Sequence, residues 1–405
     1  MEAAVAFDAP ALGVRERMAG FVGEVTGGFA LARQRENALL YVRGLVEHGG
    51  RKSLWPTLFR LEETPARYES MQQFLADSPW DPELLIQGCA ERVCPGIGVL
   101  AWVVDDTGVV KDGKHSPGVK RQYSGTLGKI GNCQITVSVH AVGERGTLPL
   151  GWRLYLPEEW CDDLERRRKA KIPDSVVFAT KPRLARALCE RAAGWQIPLA
   201  PILADSAYGD DGKFRTALHA HGFEYVVAVS AQIGVYGFTV PERNGTVGRK
   251  RTVARPDRKP ESVRALAERL PATAWRTLPC RTTPSGEDVE SCFAFVRVVA
   301  TNPVRNDHQT PREEWLIIEW PPEAEQPTDY WFSNLPADTL SERLTRLARL
   351  RWTIELDYRQ LKGELGLDHY EGRSYAGFHH HTALVTCAHA FLTLERLDPK
   401  APRPA

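Results

Sequence analysis

The sequence predicts an α/β protein: a mixed sheet flanked by helices, with an N-terminal helical module ahead of it and a β-rich insertion within it. Three observations carry that expectation. Apolar residues recur at helical spacing from about residue 29 to 85, short apolar runs bounded by turn residues follow Pro95, and helical spacing returns at Asp338. At 405 residues the chain exceeds one typical domain, so two or three structural units are expected. Hydrophobic residues at 43% and charged residues at 25% are ordinary globular usage, which argues against disorder or a fibrous repeat.

Residues 1–90 read as helical. LARQRENALLYVRGLV places Leu39, Val42, Leu45 and Val46 near one face, ARYESMQQFLADSPW repeats the trend, and GGRKSLWPTLF between them reads as a turn and a short helix. Arg33, Arg35, Arg43, Arg51 and Lys52 stand here amid a slight excess of acids, so a DNA-binding module and an ordinary helical cap weigh about equally. The opening MEAAVAFDAPALGVRER has no continuous apolar core and is not expected to be a secretory signal. No stretch approaches the roughly 20 apolar residues of a membrane span, so a cytoplasmic protein is expected. Eight cysteines without a CxxC pair read as reduced thiols rather than a zinc ribbon or disulfide framework.

The expected core spans residues 91–231 and 337–397. IGVLAWVVDD is an apolar run ending in two carboxylates, NCQITVSVHAV alternates with period two, and LPLGWRLYL is a third strand. LERRRKAKI and KPRLARALCERAAGW read as helices, IPLAPILADSAYG as a buried strand ending in a carboxylate, DGKFRTALHAHGF as a helix and EYVVAVS as a strand. This βββαβαβ order resembles the ribonuclease H-like topology, whose central sheet presents acids from its strands. Residues 232–336 form the β-rich insertion, with the basic loop VGRKRTVARPDRKP and strands at CFAFVRVVAT, EEWLIIEWPP and TDYWFSN. LSERLTRLARLRWTIELDYRQLKGELG is then the longest helical pattern, and HTALVTCAHAFLTLERL the last.

Three acids stand out within this frame. Asp106 is placed at the end of the first strand, Asp205 at the end of the fourth, and Glu355 in the long helical pattern. Carboxylates without Cys or His partners offer hard oxygen donors, which suit Mg²⁺ or Mn²⁺ rather than zinc. Two such ions can activate water and stabilise the leaving oxygen of a phosphoryl displacement. Acids after apolar strands are also common as turn residues and helix caps, and for any one of them alone that ordinary role is the more frequent. Side chains alternate along a strand, so at most one of Asp105 and Asp106 belongs to the site. Arg351 and Lys362 flank Glu355 four residues before and seven after, which on one continuous helix puts all three on a shared face.

RWTIELDYRQLKGELG resembles the C-terminal signature of DDE transposases from bacterial insertion sequences, in the cut-and-paste branch whose motif is abbreviated YREK. Its Arg, Glu and Lys fall on Arg351, Glu355 and Lys362, while its Tyr falls on Ala348. VVDDTG is similar to the family's first-Asp motif, in which the acid directly precedes Thr, which favours Asp106; LADSAYG is similar to the second and gives Asp205. KDGKHSPGVKRQYSGTLGKIGNCQ, LGLDHYEGRSYAGFHHH, YVRGL, GGRKS and SPWD extend the resemblance from about Arg33 to Leu394. It implies that Asp106, Asp205 and Glu355 bind two divalent ions, that cleavage frees a 3′-hydroxyl which attacks target DNA, and that a homodimer holds paired element ends. Arg351 and Lys362 would clamp phosphates.

The remaining cations fit such a partner locally. Lys plus Arg total 52 against 51 Asp plus Glu, so no global charge attracts nucleic acid. Lys111, Lys114, His115, Lys120, Arg121 and Lys129 crowd the stretch after the first Asp, with Lys114, Lys120 and Arg121 expected on phosphates; a solvated hairpin is the plainer reading. The cations from Arg249 to Arg264 carry even odds of DNA contact. In the resembled branch an insertion aromatic stacks on a flipped base, but Trp315, Trp320 and Trp331 sit in strands, where tryptophan is mostly core. His379, His380 and His381 face different directions on a helix and cannot form one metal site, leaving DNA proximity or structure. The leading function is an insertion-sequence transposase. A non-catalytic, domesticated DNA-binding protein and a metal-dependent nuclease without strand transfer are the alternatives.

Overall fold

The computed structural model describes residues 10–125, 128–237, 259–282, 288–301 and 312–398. Two compact units divide the chain. One gathers Met1–Leu100, Asp106–Pro198 and Ile354–Ala405, and the other Ala101–Asp105 and Leu199–Thr353.

The first unit opens with α1 (Pro10–Val25), α2 (Ala32–Val46), α3 (Leu54–Arg60), α4 (Pro65–Ala76) and α5 (Pro82–Ile97). Proline begins α4 and α5, where its missing N–H leaves no bond unmade. Asp81 caps α5, its carboxylate accepting from Glu83 N at 2.8 Å, and Gly98 ends the helix at φ 68°. α1 lies ahead of the region in which helical spacing is evident in the sequence. Next come β1 (Val99–Val110), β2 (Lys120–Ser124), β3 (Lys129–Gly143), β4 (Gly146–Leu154), α6 (Glu158–Asp162), α7 (Leu164–Lys169) and α8 (Lys181–Ala193). The strands of this unit run in the order β2-β3-β1, with β4 antiparallel to β3 from Thr136↔Leu154 to Gly143↔Gly146. The alternation read in β3 is not a half-solvated pattern: Cys133 to Val142 are buried without interruption, as in a strand covered on both faces.

Within the second unit the first half of β1 is followed by β5 (Ile202–Ala204), α9 (Ser206–Gly209), α10 (Gly212–Ala220), β6 (Tyr225–Ala228), β7 (Gly234–Gly237), β8 (Glu261–Ser262), α11 (Val263–Glu268), β9 (Trp275–Thr282), β10 (Asp288–Ala300), β11 (Glu313–Trp320), β12 (Asp329–Ser333) and α12 (Ser341–Leu350). The strand order is β1-β5-β6-β12-β11-β10-β7-β8, with β9 on β10. β1, β5 and β6 are parallel, joined by Trp102↔Ile202 and Ile202↔Tyr225, and α10 supplies the crossover that parallel strands require. β12 then adds antiparallel to β6 through Trp331↔Ala228. The result is a mixed sheet accompanied by helices.

The chain returns to the first unit with α13 (Thr353–Gly363) and α14 (Tyr375–Leu397), the latter the longest described helix at 23 residues. The long helical pattern of the sequence is therefore two helices. Arg351 lies at the end of α12 and does not share a helix with Glu355. No described helix is long and apolar enough to cross a membrane.

Candidate active site

β1 does not end at its acids but runs on to Val110, so Asp105 and Asp106 lie inside the strand rather than at its exit. Their side chains take different partners, as alternation requires. Asp106 Oδ2 accepts from Lys181 Nζ at 2.9 Å, with 17% of its side chain exposed, and Lys181 begins α8. Asp105 Oδ2 instead accepts from Arg351 Nη1 at 3.0 Å. The glycine of the DDTG run has a packing reason. A Cβ at Gly108 would stand 2.1 Å from Ser124 Oγ on β2. The carbonyl of Gly108 is also used, accepting from Lys362 Nζ at 2.9 Å.

Asp205 follows β5 and caps α9: its Oδ1 accepts from Ala207 N at 3.0 Å and from Tyr208 N at 3.4 Å. It is thus both a strand-end acid and a helix cap. Gly209 closes the same DSAYG run because α9 passes over β6 so tightly that a Cβ would meet Ala228 O at 1.8 Å.

Glu355 occupies the exposed face of the first turn of α13, opposite the buried Ile354, Asp357, Tyr358 and Leu361. Lys362 ends the same helix, and burial draws its ammonium pKa down, with Asp368 opposing the shift. In the first unit, then, one hydrogen bond ties the helix of Glu355 to the strand of Asp106, two residues past that acid. The donors on offer are carboxylate oxygens without thiolate or imidazole, a set that suits a hard divalent cation. Among the described residues no group of three His, Cys, Asp or Glu stands close enough to hold a metal ion.

The cations after the first Asp lie on β2, in the segment before it and, for Lys129, at the start of β3. Lys114 and Arg121 are exposed, and Lys120 Nζ pairs with Glu159 Oε2 at 2.9 Å, which raises its pKa. Lys111 is different: its Nζ donates to Tyr370 O at 2.5 Å, and burial lowers it to about 8. Arg249 to Arg258 lie outside the described residues. Trp331 is buried in β12, whereas the indole N–H groups of Trp315 and Trp320 donate to Pro336 O and Ala324 O. All three histidines of the HHH run are buried. His380 stacks on Trp80 at 4.0 Å and His381 Nδ1 lies 2.9 Å from Tyr41 Oη, so their part is structural. Lys181 stands in no motif of the sequence, Asp357 lies within the RWTIELDYRQLKGELG run without a role read for it, and only the fold shows what they touch.

Comparison with known proteins places the chain in a family. Residues 24–285, which include Asp106 and Asp205, match the model of a family described as DDE superfamily endonuclease. Over 165 residues the chain is 32% identical to a protein of Microchaete diplosiphon described as a probable transposase for insertion sequence element IS701. That segment is 40% of this chain and 40% of the relative's length.

Proposed function

Because the chain belongs to the DDE superfamily endonuclease family, we propose that it is an insertion-sequence transposase, built on a ribonuclease H-like core, that cleaves DNA at element ends and joins the freed 3′-hydroxyl to target DNA. The bond from Lys362 Nζ to Gly108 O carries this reading, because it ties the helix of Glu355 to the strand of Asp106. Asp106, Asp205 and Glu355 are the residues that would hold two divalent ions, Mg²⁺ or Mn²⁺. When bound, such ions supply an activated water and stabilise the leaving oxygen of the phosphodiester.

The protein's own groups have distinct tasks. Lys181 pairs with Asp106 at 2.9 Å and would release that carboxylate to a cation. Arg351 and Lys362 serve as phosphate contacts, as do Lys114, Lys120 and Arg121, which position DNA without reading its sequence. The N-terminal helices are assigned to the element ends, and two copies of the chain to the paired ends.

The test is incubation of the purified protein with duplexes carrying the terminal inverted repeats of its own element and Mg²⁺ or Mn²⁺. Nicking at the repeat ends followed by joining to a target is expected. Replacing Asp205 with Ala or Glu355 with Gln should lower nicking by roughly 10²–10³, the several kcal/mol that a metal supplies. Binding without nicking would identify a DNA-binding protein instead, and nicking without joining a nuclease.

A further inference from the structure

We infer that Asp357, hydrogen-bonded by His140 and Thr147 with His389 alongside, is a positioning residue that sets the rotation of α13 and thereby the direction of Glu355; this rests on the reading of Glu355 as a metal ligand.

α13 packs Ile354 and Leu361 into the first unit, both 0% exposed. An apolar face alone tolerates rolling and sliding, because it rewards burial and not direction. Asp357 adds direction. It is 5% exposed, yet a carboxylate buried among apolar groups is costly unless its oxygens are hydrogen-bonded. Here they are. Oδ2 lies 2.7 Å from His140 Nδ1 on β3, Oδ1 accepts from the Thr147 hydroxyl on β4, and His389 Nε2 on α14 stands 3.6 Å from that same Oδ1. Hydrogen bonds from two separate strands thus hold one side chain of α13, with the His389 ring of α14 beside it.

The proton pattern closes without strain. A carboxylate only accepts, so His140 Nδ1 carries the hydrogen and, in the neutral ring, Nε2 accepts. Ser138 Oγ, 3.0 Å from Nε2, donates to it, and in turn accepts from Tyr358 Oη at 2.7 Å. Tyr358 is the next residue of α13, so two consecutive side chains of the helix end on the same pair of β3 residues. Successive helical residues differ by about 100°, so residues two apart point roughly 200° from each other. Holding Asp357 inward directs Glu355 outward, and Glu355 is indeed exposed. Lys362 fixes the far end of the helix on Gly108 O.

The experiment uses the full-length protein, with Mn²⁺ affinity measured by electron paramagnetic resonance titration and nicking of repeat-end duplex measured in Mg²⁺ and in Mn²⁺. Asp357→Asn is expected to weaken Mn²⁺ binding about tenfold. It should also lower Mg²⁺-supported nicking several times more than Mn²⁺-supported nicking, because Mg²⁺ demands near-ideal octahedral ligands. A merely structural defect would lower both alike. Thr147→Val, which removes a single donor to Asp357, should shift the same ratio in the same direction by a smaller factor, and it stands in if Asp357→Asn does not fold. The inference is overturned if Glu355→Gln weakens Mn²⁺ binding while Asp357→Asn and Thr147→Val leave both affinity and the metal ratio unchanged. If Glu355→Gln itself leaves Mn²⁺ affinity unchanged, the metal reading fails and the positioning role falls with it.

Discussion

His379, His380 and His381 are consecutive on α14, yet all are buried, because the helix is enclosed on every side from Gly377 to Phe391. The sequence leaves their role open between DNA proximity and structure, since an apolar helix face cannot be separated from an enveloped helix by spacing alone. Burial lowers His379 to about 3 and His381 to about 4. The unfolded chain, with imidazoles near 6.5, therefore binds protons first as the pH drops. Stability from these groups is complete above pH 6.5 and is lost on acidification, at up to about 1.4 kcal/mol per pH unit for each histidine. Urea unfolding at pH 7 and pH 5 should show that loss. His381→Gln, which removes one titrating ring between Tyr41 and the carbonyls of Gly366 and Leu367, should flatten the slope by close to one proton. An unchanged slope would contradict the assignment.

Elements meet through the glycines of the two Asp motifs, and here the sequence shows the residue but not its reason. At Gly209 an added Cβ would strike the backbone carbonyl of Ala228, which cannot move without shifting β6. Gly209→Ala is expected to destabilise the protein by about 1–3 kcal/mol, read as a lowered melting temperature. Gly108→Ala strikes a side chain, Ser124 Oγ, so the double variant with Ser124→Gly should recover most of the loss; equal melting of the single and double variants would argue against that clash. Between α12 and α13 the pattern misleads for a different reason. The 3.6-residue spacing persists through RWTIE, so periodicity sees one helix, but the Thr353 hydroxyl donates to Leu350 O at 2.7 Å and satisfies a carbonyl that a continuous helix would have paired with an amide. A local side-chain bond of that kind leaves no mark on the hydrophobic pattern.

Across the whole chain the near balance of 52 cations against 51 acids means that the DNA proposed as its partner would be held by local groups. The exposed Lys114 and Arg121 are the groups proposed for that part, and replacing both with Ala should weaken binding about equally for all DNA sequences while reducing the salt slope by about one for each phosphate no longer neutralised. Sequence-dependent weakening would point to base reading instead. The α/β class and most core strands were legible because they rest on apolar runs, and the three acids stood out in the sequence because they sit in short motifs. Partnerships such as Lys181 with Asp106 and Asp357 with His140 were not, since they join residues 75 and 217 positions apart. The sharpest test lies in the adjacent acids of β1, of which Asp106 meets Lys181 and Asp105 meets Arg351. Nicking of a repeat-end duplex in Mn²⁺ by Asp106→Asn and by Asp105→Asn should show activity abolished in the first and retained in measurable part by the second; wild-type nicking by Asp106→Asn would contradict the assignment of the catalytic site.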